Sequence, residues 1–198
     1  MNTFRIIGRC IADPPPAGWR EQLTARLGGK KPRRIGTWAE LGLYGALECM
    51  AATGEEKLPE HAGLMLSSRH GPVTAMRNAF EQAREDLPMP LTFMQTQPSQ
   101  LLAALAARLN WRGDACFISH SDAHALLRLA AAQQHRAGVL LGWVEESGAG
   151  RSVWLRLMPS VEPAGALREI GSLEKHLARA SYLRITPAEE VVVSLDLP

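Results

Sequence analysis

Short apolar runs alternate with longer helical patterns along most of the chain, and this alternation limits the folds that the chain can adopt. Gly63–Ser68 and Gly138–Val144 are apolar and have the length of buried strands. Val73–Arg84 and Ser99–Asn110 have the composition of helices. Strands that alternate with helices pair into a parallel or mixed sheet. The sequence therefore predicts an α/β fold, with a mixed sheet of about five strands packed by helices.

Other signals complete the predicted order of elements. Thr37, with Glu40 three residues later, has the pattern of a capping box, so a helix is predicted from there to Gly54. Prolines mark the segment Leu87–Pro98, which is predicted to be irregular. The further predicted strands are Phe4–Ala12, Ala115–Ser119, Val153–Met158 and Val191–Leu195, and the further predicted helices are Ala123–His135 and one near Leu167–Ala180.

The length and composition restrict the class of protein. With 198 residues, of which 46% are hydrophobic, the chain has room for one globular domain over residues 1–198. A net charge of +2 argues against general binding to nucleic acid, which requires a clearly basic face. No stretch approaches the ~18 to 20 apolar residues of a membrane span, and the N-terminus lacks the pattern of a signal peptide. Three cysteines without CxxC spacing are typical of reduced thiols in the cytoplasm, so we expect a cytoplasmic protein without a zinc site of the usual kind.

One cluster of side chains could carry chemistry. His120, Asp122 and His124 place two imidazoles and a carboxylate within five residues, and these groups are acceptable metal ligands. Another ligand would have to come from elsewhere, and His70 is the best candidate. A structural interpretation is that Asp122 accepts backbone N–H bonds at the start of a helix. A third interpretation is that Asp122 and a histidine contact a ligand or a partner subunit.

The basic residues cluster once along the chain. Lys30, Lys31, Arg33 and Arg34 lie within five positions, ahead of the first predicted long helix. The cluster is either a solvated loop or a docking patch for an acidic partner.

The segment Ser99–Glu146 contains, in order, a small-residue helix, an N-x-x-G turn, a strand, a sharp turn into an alanine-rich helix, and a strand that ends in Gly142-Trp143-Val144-Glu145. This order resembles the core of the N-terminal half of the β-ketoacyl synthases, which belong to the thiolase superfamily. Leu64–Gly71 is similar to the strand and turn that open the preceding unit, and Phe4–Ala52 is similar to the first strand and first long helix. The resemblance is strongest over residues 1–146 and depends on the order and spacing of elements. It implies a thiolase-like half-fold.

The sequence departs from that family in two ways. The nucleophilic cysteine of the family would fall at Asp122, and a carboxylate lacks the nucleophilicity of a thiolate toward acyl thioesters. Cys116 lies inside a predicted strand, and Cys10 and Cys49 lie in the first strand and first helix. Complete β-ketoacyl synthases have a second, related half that supplies two catalytic histidines, and we expect no counterpart of that half in this sequence. We therefore expect no catalytic residue, no cofactor, no metal, and no condensation by this chain alone.

The resemblance also implies a partner. Ketosynthases dimerise through the strand before the catalytic turn. Relatives without the cysteine, called chain-length factors, pair with a complete ketosynthase and help to shape its acyl tunnel. We expect a subunit of this kind in a type II fatty-acid or polyketide system, with aryl polyene pathways as one setting. Lys30, Lys31, Arg33 and Arg34 are then candidates for docking acyl carrier protein. The candidate interface or tunnel residues are Phe93, Met94, Gln95, Gln97, Ala115, Cys116, Phe117, Ile118, Ser119, His120 and Asp122.

Two other functions are open at this point. The first is a stand-alone metal-assisted hydrolase built on His120, Asp122 and His124, which would retain stoichiometric metal after purification. The second is a homodimeric small-molecule binder on a degenerate thiolase half-fold. Only the heterodimer predicts that the chain is poorly stable when made alone, because its interface strand is then unpaired.

Overall fold

The strands of this protein join one mixed sheet whose spatial order differs from the order along the chain. A computed structural model describes residues 2–87, 89–120, 123–133, 135–161, 167–169, 177–185 and 191–195. Within these ranges the strands are β1 (Asn2–Ala12), β2 (Gly63–Ser68), β3 (Ala115–Ser119), β4 (Val139–Glu145), β5 (Arg151–Ser160), β6 (Leu167–Glu169), β7 (Ala180–Ile185) and β8 (Val191–Leu195). They form an eight-stranded sheet in the order β3-β2-β4-β5-β1-β7-β8-β6. β2 is parallel to β3 and β4, whereas β5 is antiparallel to β4 and β1.

Helices cover both faces of this sheet. In the described ranges they are α1 (Trp19–Arg26), α2 (Thr37–Thr53), α3 (Val73–Arg84), α4 (Pro90–Gln95), α5 (Ser99–Arg108) and α6 (Ala123–Gln133). None of these helices is long and apolar enough to cross a membrane.

The core has two parts because successive side chains of a strand point to opposite faces of the sheet. Leu64 and Leu140 pack with α2 and α5 on one face. Met65 and Leu141 pack with α6 on the other face. β2 is therefore buried along its whole length and β4 along all but its last residue, as expected for strands covered on both faces.

α2 packs closely on the sheet because small residues face the strands. A Cβ atom added to Gly45 would lie 2.2 Å from the Oγ of Ser152 and 2.6 Å from the ring of Trp154. The indole Nε1 of Trp154 donates to Ser152 Oγ (3.1 Å), which donates to the carbonyl of Leu41 (2.8 Å). All the polar atoms of this buried contact are thereby satisfied.

The predicted fold class is confirmed, with a larger sheet than the predicted one of about five strands. The predicted helix near Leu167–Ala180 is wrong at its two ends, because Leu167–Glu169 and Ala180–Ile185 are strands. Leu177 is helical, and residues 170–176 of the predicted helix lie outside the described residues. The guanidinium of Arg9 donates to the carbonyls of Leu177 (2.9 Å), Ala178 (2.7 Å) and Ala180 (2.7 Å). It thereby fixes the chain as it enters β7, through a contact between distant parts of the sequence.

Smaller differences concern the helices. The N-cap of α2 is Gly36 and not Thr37, because the amide of Glu40 donates to the carbonyl of Gly36 (2.9 Å) and no side chain caps the helix. α1 and α4 are not predicted by the sequence patterns. α4 lies inside the proline-marked segment, with Pro90 in its first turn, where a missing N–H does no harm. α6 is described as far as Gln133, residue 134 lies outside the described residues, and His135, the predicted end, is not helical.

Candidate functional site

The carboxyl ends of the parallel strands β2, β3 and β4 meet at one edge of the sheet, called the carboxyl edge below. Ser68, His120 and Glu145 lie at these three strand ends. The backbone N–H of His120 donates to the carbonyl of Ser68 (3.1 Å), and Ser67 Oγ donates to the carbonyl of His120 (3.2 Å). In open sheets with parallel strands, ligands generally bind at this edge.

Two carboxylates at the end of β4 hold the turn that connects β2 to α3. Glu145 accepts hydrogen bonds from the backbone N–H of Arg69 and of His70 (3.4 Å), and its Oε2 lies 3.4 Å from His70 Nδ1. Glu146 accepts from the backbone N–H of Thr74 (2.5 Å). His70 is thus part of an anchored turn.

A cavity of about 70 Å³ lies at the carboxyl edge, on the side of the sheet that α6 covers. Its polar wall includes Ser68, His120 and Glu145, together with the Asp13–Arg151 ion pair (2.7 Å). Its apolar wall is formed by Ile11, Ala123, Trp143, Val153 and Leu177.

The alternative of a metal site at His120, Asp122 and His124 finds no support in the described residues. They contain no group of three histidine, cysteine or acidic side chains placed to hold a metal ion. His120 lines the cavity and His124 lies in the first turn of α6. Asp122, which is predicted at the position of the nucleophile and is a ligand in the alternative metal site, lies outside the described residues.

None of the three thiols has the environment of an activated nucleophile. Burial, with a smaller effect of the Glu48 carboxylate, raises the pKa of the Cys10 thiol to about 12. Burial also raises the pKa of Cys49 and of Cys116. A catalytic thiol needs a lowered pKa and a partly exposed, electropositive site. All three thiols are therefore protonated at neutral pH.

β3 (Ala115–Ser119) is an edge strand of the sheet. It pairs with β2 on one side, and its other side has no strand partner among the described residues. The ring of Phe117 packs edge-on against Trp38, with centroids 6.1 Å apart. Cys116 and Ile118 pack against the core on the opposite face. The side chains thus anchor β3 while one row of its backbone groups remains available.

Phe93 and Met94, predicted at an interface or tunnel, lie on α4 and are exposed rather than in the core. They belong to a larger apolar patch on α3, α4 and the segment between them, called the α3–α4 surface. Its members have exposed fractions from 40 to 68%, and they are Met76, Phe80, Leu87, Met89, Leu91, Phe93 and Met94. Of the neighbouring predicted residues, Gln95 lies beside Gly36, and Gln97 Nε2 donates to Thr96 Oγ1 (3.0 Å).

The basic cluster Lys30, Lys31, Arg33 and Arg34 lies in the loop between α1 and α2, and all four residues are exposed. α1 ends in two left-handed glycines whose amides donate to helix carbonyls. The structure gives no ion pair to these four cations within the described residues. The cluster therefore presents its charge to solvent.

Sequence comparison identifies no relative, since no family model and no curated protein matches the chain. Solved structures match its fold. A chain of the ketosynthase ApeO in complex with its chain length factor ApeC from Xenorhabdus doucetiae is 15% identical with a TM-score of 0.58, and the match covers 87% of this chain and 84% of that one.

Two further structures are similar. One is AntDE:AntF, a type II polyketide synthase acyl-carrier protein in complex with its ketosynthase, which is 11% identical with a TM-score of 0.57 over 80% of this chain and 63% of that one. The other is the ishigamide ketosynthase/chain length factor, 11% identical with a TM-score of 0.56 over 89% of this chain and 60% of that one. The chain thus has the thiolase-like fold of ketosynthases and chain length factors, and it spans about three fifths of the last two structures.

Proposed function

We propose that this protein is a non-catalytic, chain-length-factor-like partner of a full-length β-ketoacyl synthase in type II fatty-acid or polyketide biosynthesis. The observation that carries the proposal is the position of β3 at the edge of a sheet whose fold is shared with ketosynthase and chain length factor complexes. The setting that we propose is an aryl polyene pathway, because short ketosynthase-like proteins occur in such pathways.

The edge strand provides the means of association. An exposed strand edge presents unpaired N–H and C=O groups and pairs readily with another chain, so proteins usually cover it. A strand of the partner ketosynthase added beside Ala115–Ser119 would continue the sheet across the interface. This pairing uses backbone atoms and requires no particular side chain on the outer side of β3.

The α3–α4 surface provides apolar contact area for the same partner. Single exposed apolar side chains are ordinary, but a group of large ones on two helices that pack against each other indicates a binding surface. Phe93 and Met94 would face the partner and help to close the side of the acyl tunnel.

The thiols and the sequence support a non-catalytic role. The three cysteines are in environments that raise the thiol pKa. By the order and spacing of the predicted elements, Asp122 falls at the position of the nucleophilic cysteine of the β-ketoacyl synthases. The role proposed is therefore to stabilise the catalytic partner and to shape its acyl cavity.

Acyl carrier protein is the second partner proposed. The acyl groups that it carries would be the substrates of the complex. Because the carrier protein is acidic, it would be attracted to the exposed cations Lys30, Lys31, Arg33 and Arg34. The AntDE:AntF structure contains an acyl-carrier protein bound to a ketosynthase.

Co-expression with the full-length ketosynthase encoded nearest to this chain tests the proposal. We expect a one-to-one heterodimer by native mass determination, and a partner that is insoluble or inactive without this chain. A stable species that contains only this chain, with a partner that is fully active alone, would refute it.

A further inference from the structure

The exposed methionines of this protein lie together on the α3–α4 surface. Met76, Met89 and Met94 are 40%, 56% and 51% exposed, and no other methionine in the described ranges is exposed. Met50 and Met65 are only 3% and 1% exposed, since both lie in the core. The thioethers that a dissolved reagent can reach are therefore concentrated on one surface of the described part of the chain.

Each of these methionines is part of the same apolar area. Met76 lies one turn before Phe80 on the same face of α3. Met89 directly precedes α4, and its carbonyl accepts a hydrogen bond from the amide of Phe93 (3.2 Å). Met94 follows Phe93 in α4. All three methionines thus belong to the surface that the proposed ketosynthase partner would cover.

The thiols of the chain compete poorly for an oxidant. Oxidants react with the thiolate form of cysteine at accessible positions. Burial raises the pKa of the Cys10 thiol to about 12 and also raises the pKa of Cys49 and Cys116, so all three are protonated at neutral pH. The exposed thioethers are then the sulfur groups of the described residues that are most open to a peroxide.

Oxidation would change the polarity of the α3–α4 surface. When hydrogen peroxide reacts with a thioether, the O–O bond breaks, one oxygen is bound by the sulfur, and the other leaves as water with both protons. The sulfur loses two electrons and the peroxide gains them. The product, methionine sulfoxide, is polar and disrupts methionine-rich contacts. Burying such a polar group in an apolar contact without a hydrogen bond is unfavourable.

We propose that Met76, Met89 and Met94 form a methionine oxidation site, at which hydrogen peroxide produces sulfoxides that block association with the ketosynthase. Methionine sulfoxide reductases reverse this modification, so the block is reversible. A dithiol then gives two electrons, is oxidised to a disulfide, and the oxygen leaves as water. The inference rests on the proposed function, because the ketosynthase is the partner that the sulfoxides would exclude.

Peroxide treatment of the co-expressed complex tests the inference, at a dilution at which part of the complex is dissociated. Peptide mapping by mass spectrometry should find sulfoxide at Met76, Met89 and Met94 before it appears at Met50 or Met65. Native mass determination across a dilution series should show a dissociation constant that is raised about ten-fold or more, as expected for polar groups placed in an apolar contact.

The matched variant is the triple substitution Met76→Leu, Met89→Leu and Met94→Leu, which keeps the apolar volume and removes the sulfur. Because the ketosynthase is oxidised equally in both complexes, peroxide should change the dissociation constant of the triple variant by less than about two-fold. Met158→Leu, at a methionine outside the α3–α4 surface, is the control and should respond to peroxide as the unsubstituted chain does.

Sulfoxide that forms at Met50 and Met65 as fast as at the exposed methionines would overturn the inference. So would an unchanged dissociation constant after oxidation of the three exposed methionines, or an equal response of the triple variant. These outcomes leave the proposed function intact, whereas a chain that forms no complex before treatment would refute the proposed function and this inference with it. If the triple variant does not fold, the single leucine variants decide, since each should reduce the response to peroxide and no reduction in any of them would overturn the inference.

Discussion

Arg156, whose side chain is fully buried, donates two hydrogen bonds to the carboxylate of Glu55, from Nε at 2.8 Å and from Nη2 at 3.0 Å. The pair joins β5 to the segment that follows α2. A buried pair contributes little net stability, but removal of one partner leaves an uncompensated charge.

The first prediction concerns this pair. We expect Glu55→Ala to lower the free energy of unfolding by about 3 kcal/mol, and Arg156→Met to lower it by much less, because methionine leaves no buried charge. The control is Glu48→Ala, which removes the Arg26 pair on an exposed surface and should cost less than about 1 kcal/mol. Urea denaturation of the three variants provides the measurement. Equal losses for Glu55→Ala and Glu48→Ala would contradict the prediction.

The second prediction concerns the pH dependence of stability. The pKa of the Cys10 thiol is raised from 9.0 to about 12, mainly by burial, so the unfolded chain loses this proton at a lower pH than the folded protein does. The contribution to stability is complete below pH 9 and is lost as the pH rises toward 12. Between pH 8 and 10.5, under reducing conditions, the unsubstituted protein should lose about 2 kcal/mol more than Cys10→Ala. Urea denaturation at the two pH values measures this, and parallel losses would refute it.

The third prediction tests the close packing of α2 on β5. In Gly45→Ala the new methyl group would overlap Ser152 and Trp154, both buried, so we expect a loss of about 1–3 kcal/mol in unfolding free energy. The control is Gly36→Ala, where the nearest atom lies at an ordinary 3.5 Å and the loss should stay below about 1 kcal/mol. Thermal and urea unfolding give the values. A neutral Gly45→Ala variant would show that α2 can shift at little cost.

The fourth prediction tests the α3–α4 surface. Phe93→Asp and Met94→Asp should weaken the complex with the co-expressed ketosynthase at least ten-fold, because each buries a charge in an apolar contact. Val161→Asp is the matched control, since Val161 is a fully exposed apolar residue outside that surface. Native mass determination across a dilution series measures the dissociation. Equal affinity of all three variants would exclude this surface from the interface.

The fifth prediction tests carrier-protein docking. Reversing the charge in a Lys30→Glu, Lys31→Glu double variant should weaken binding of acyl carrier protein to the complex, most strongly at low ionic strength, because salt screens exposed charges beyond about 10 Å at 0.1 M. Lys57→Glu, at an exposed lysine outside the cluster, is the control. Binding measured at two salt concentrations checks this, and carrier protein that binds the double variant and the control equally well would refute the docking site.

Elements with strong local signals could be predicted from the sequence to the residue. β2, β3 and α3 begin and end as predicted, because each is bounded by turn residues that act within a few positions. The segment around β6 and β7 could not be predicted in this way. Its strands depend on pairing with β1 and β8 and on the Arg9 contact, which join residues far apart in the chain.

The candidate site was accessible from the sequence only in part. His120 follows a predicted strand, so its position at the carboxyl edge could be expected. Trp143 gives no such signal, because an aromatic residue in an apolar strand lines a cavity only if its neighbours leave space. Glu145 and Glu146, two acids directly after a buried strand, were an available signal for that edge. Phe93 and Met94 are exposed because they lie on α4. That helix could not be predicted, because the prolines around it are typical of an irregular segment.

β1 is the first strand of the chain, yet both of its neighbours come late, since it lies between β5 and β7. Its pairing with β7, in which Asn2 lies opposite Ile185, is completed last, and it can enter the sheet only after the ribosome has released β5. Until then Phe4 and Ile6, both buried in the finished protein, stay exposed on a strand without partners. Such long-range closure slows folding and favours aggregation of the unfinished chain. The first strand of the chain is thus among the last to be fixed in the sheet, and it stays prone to aggregation until β5 has been made.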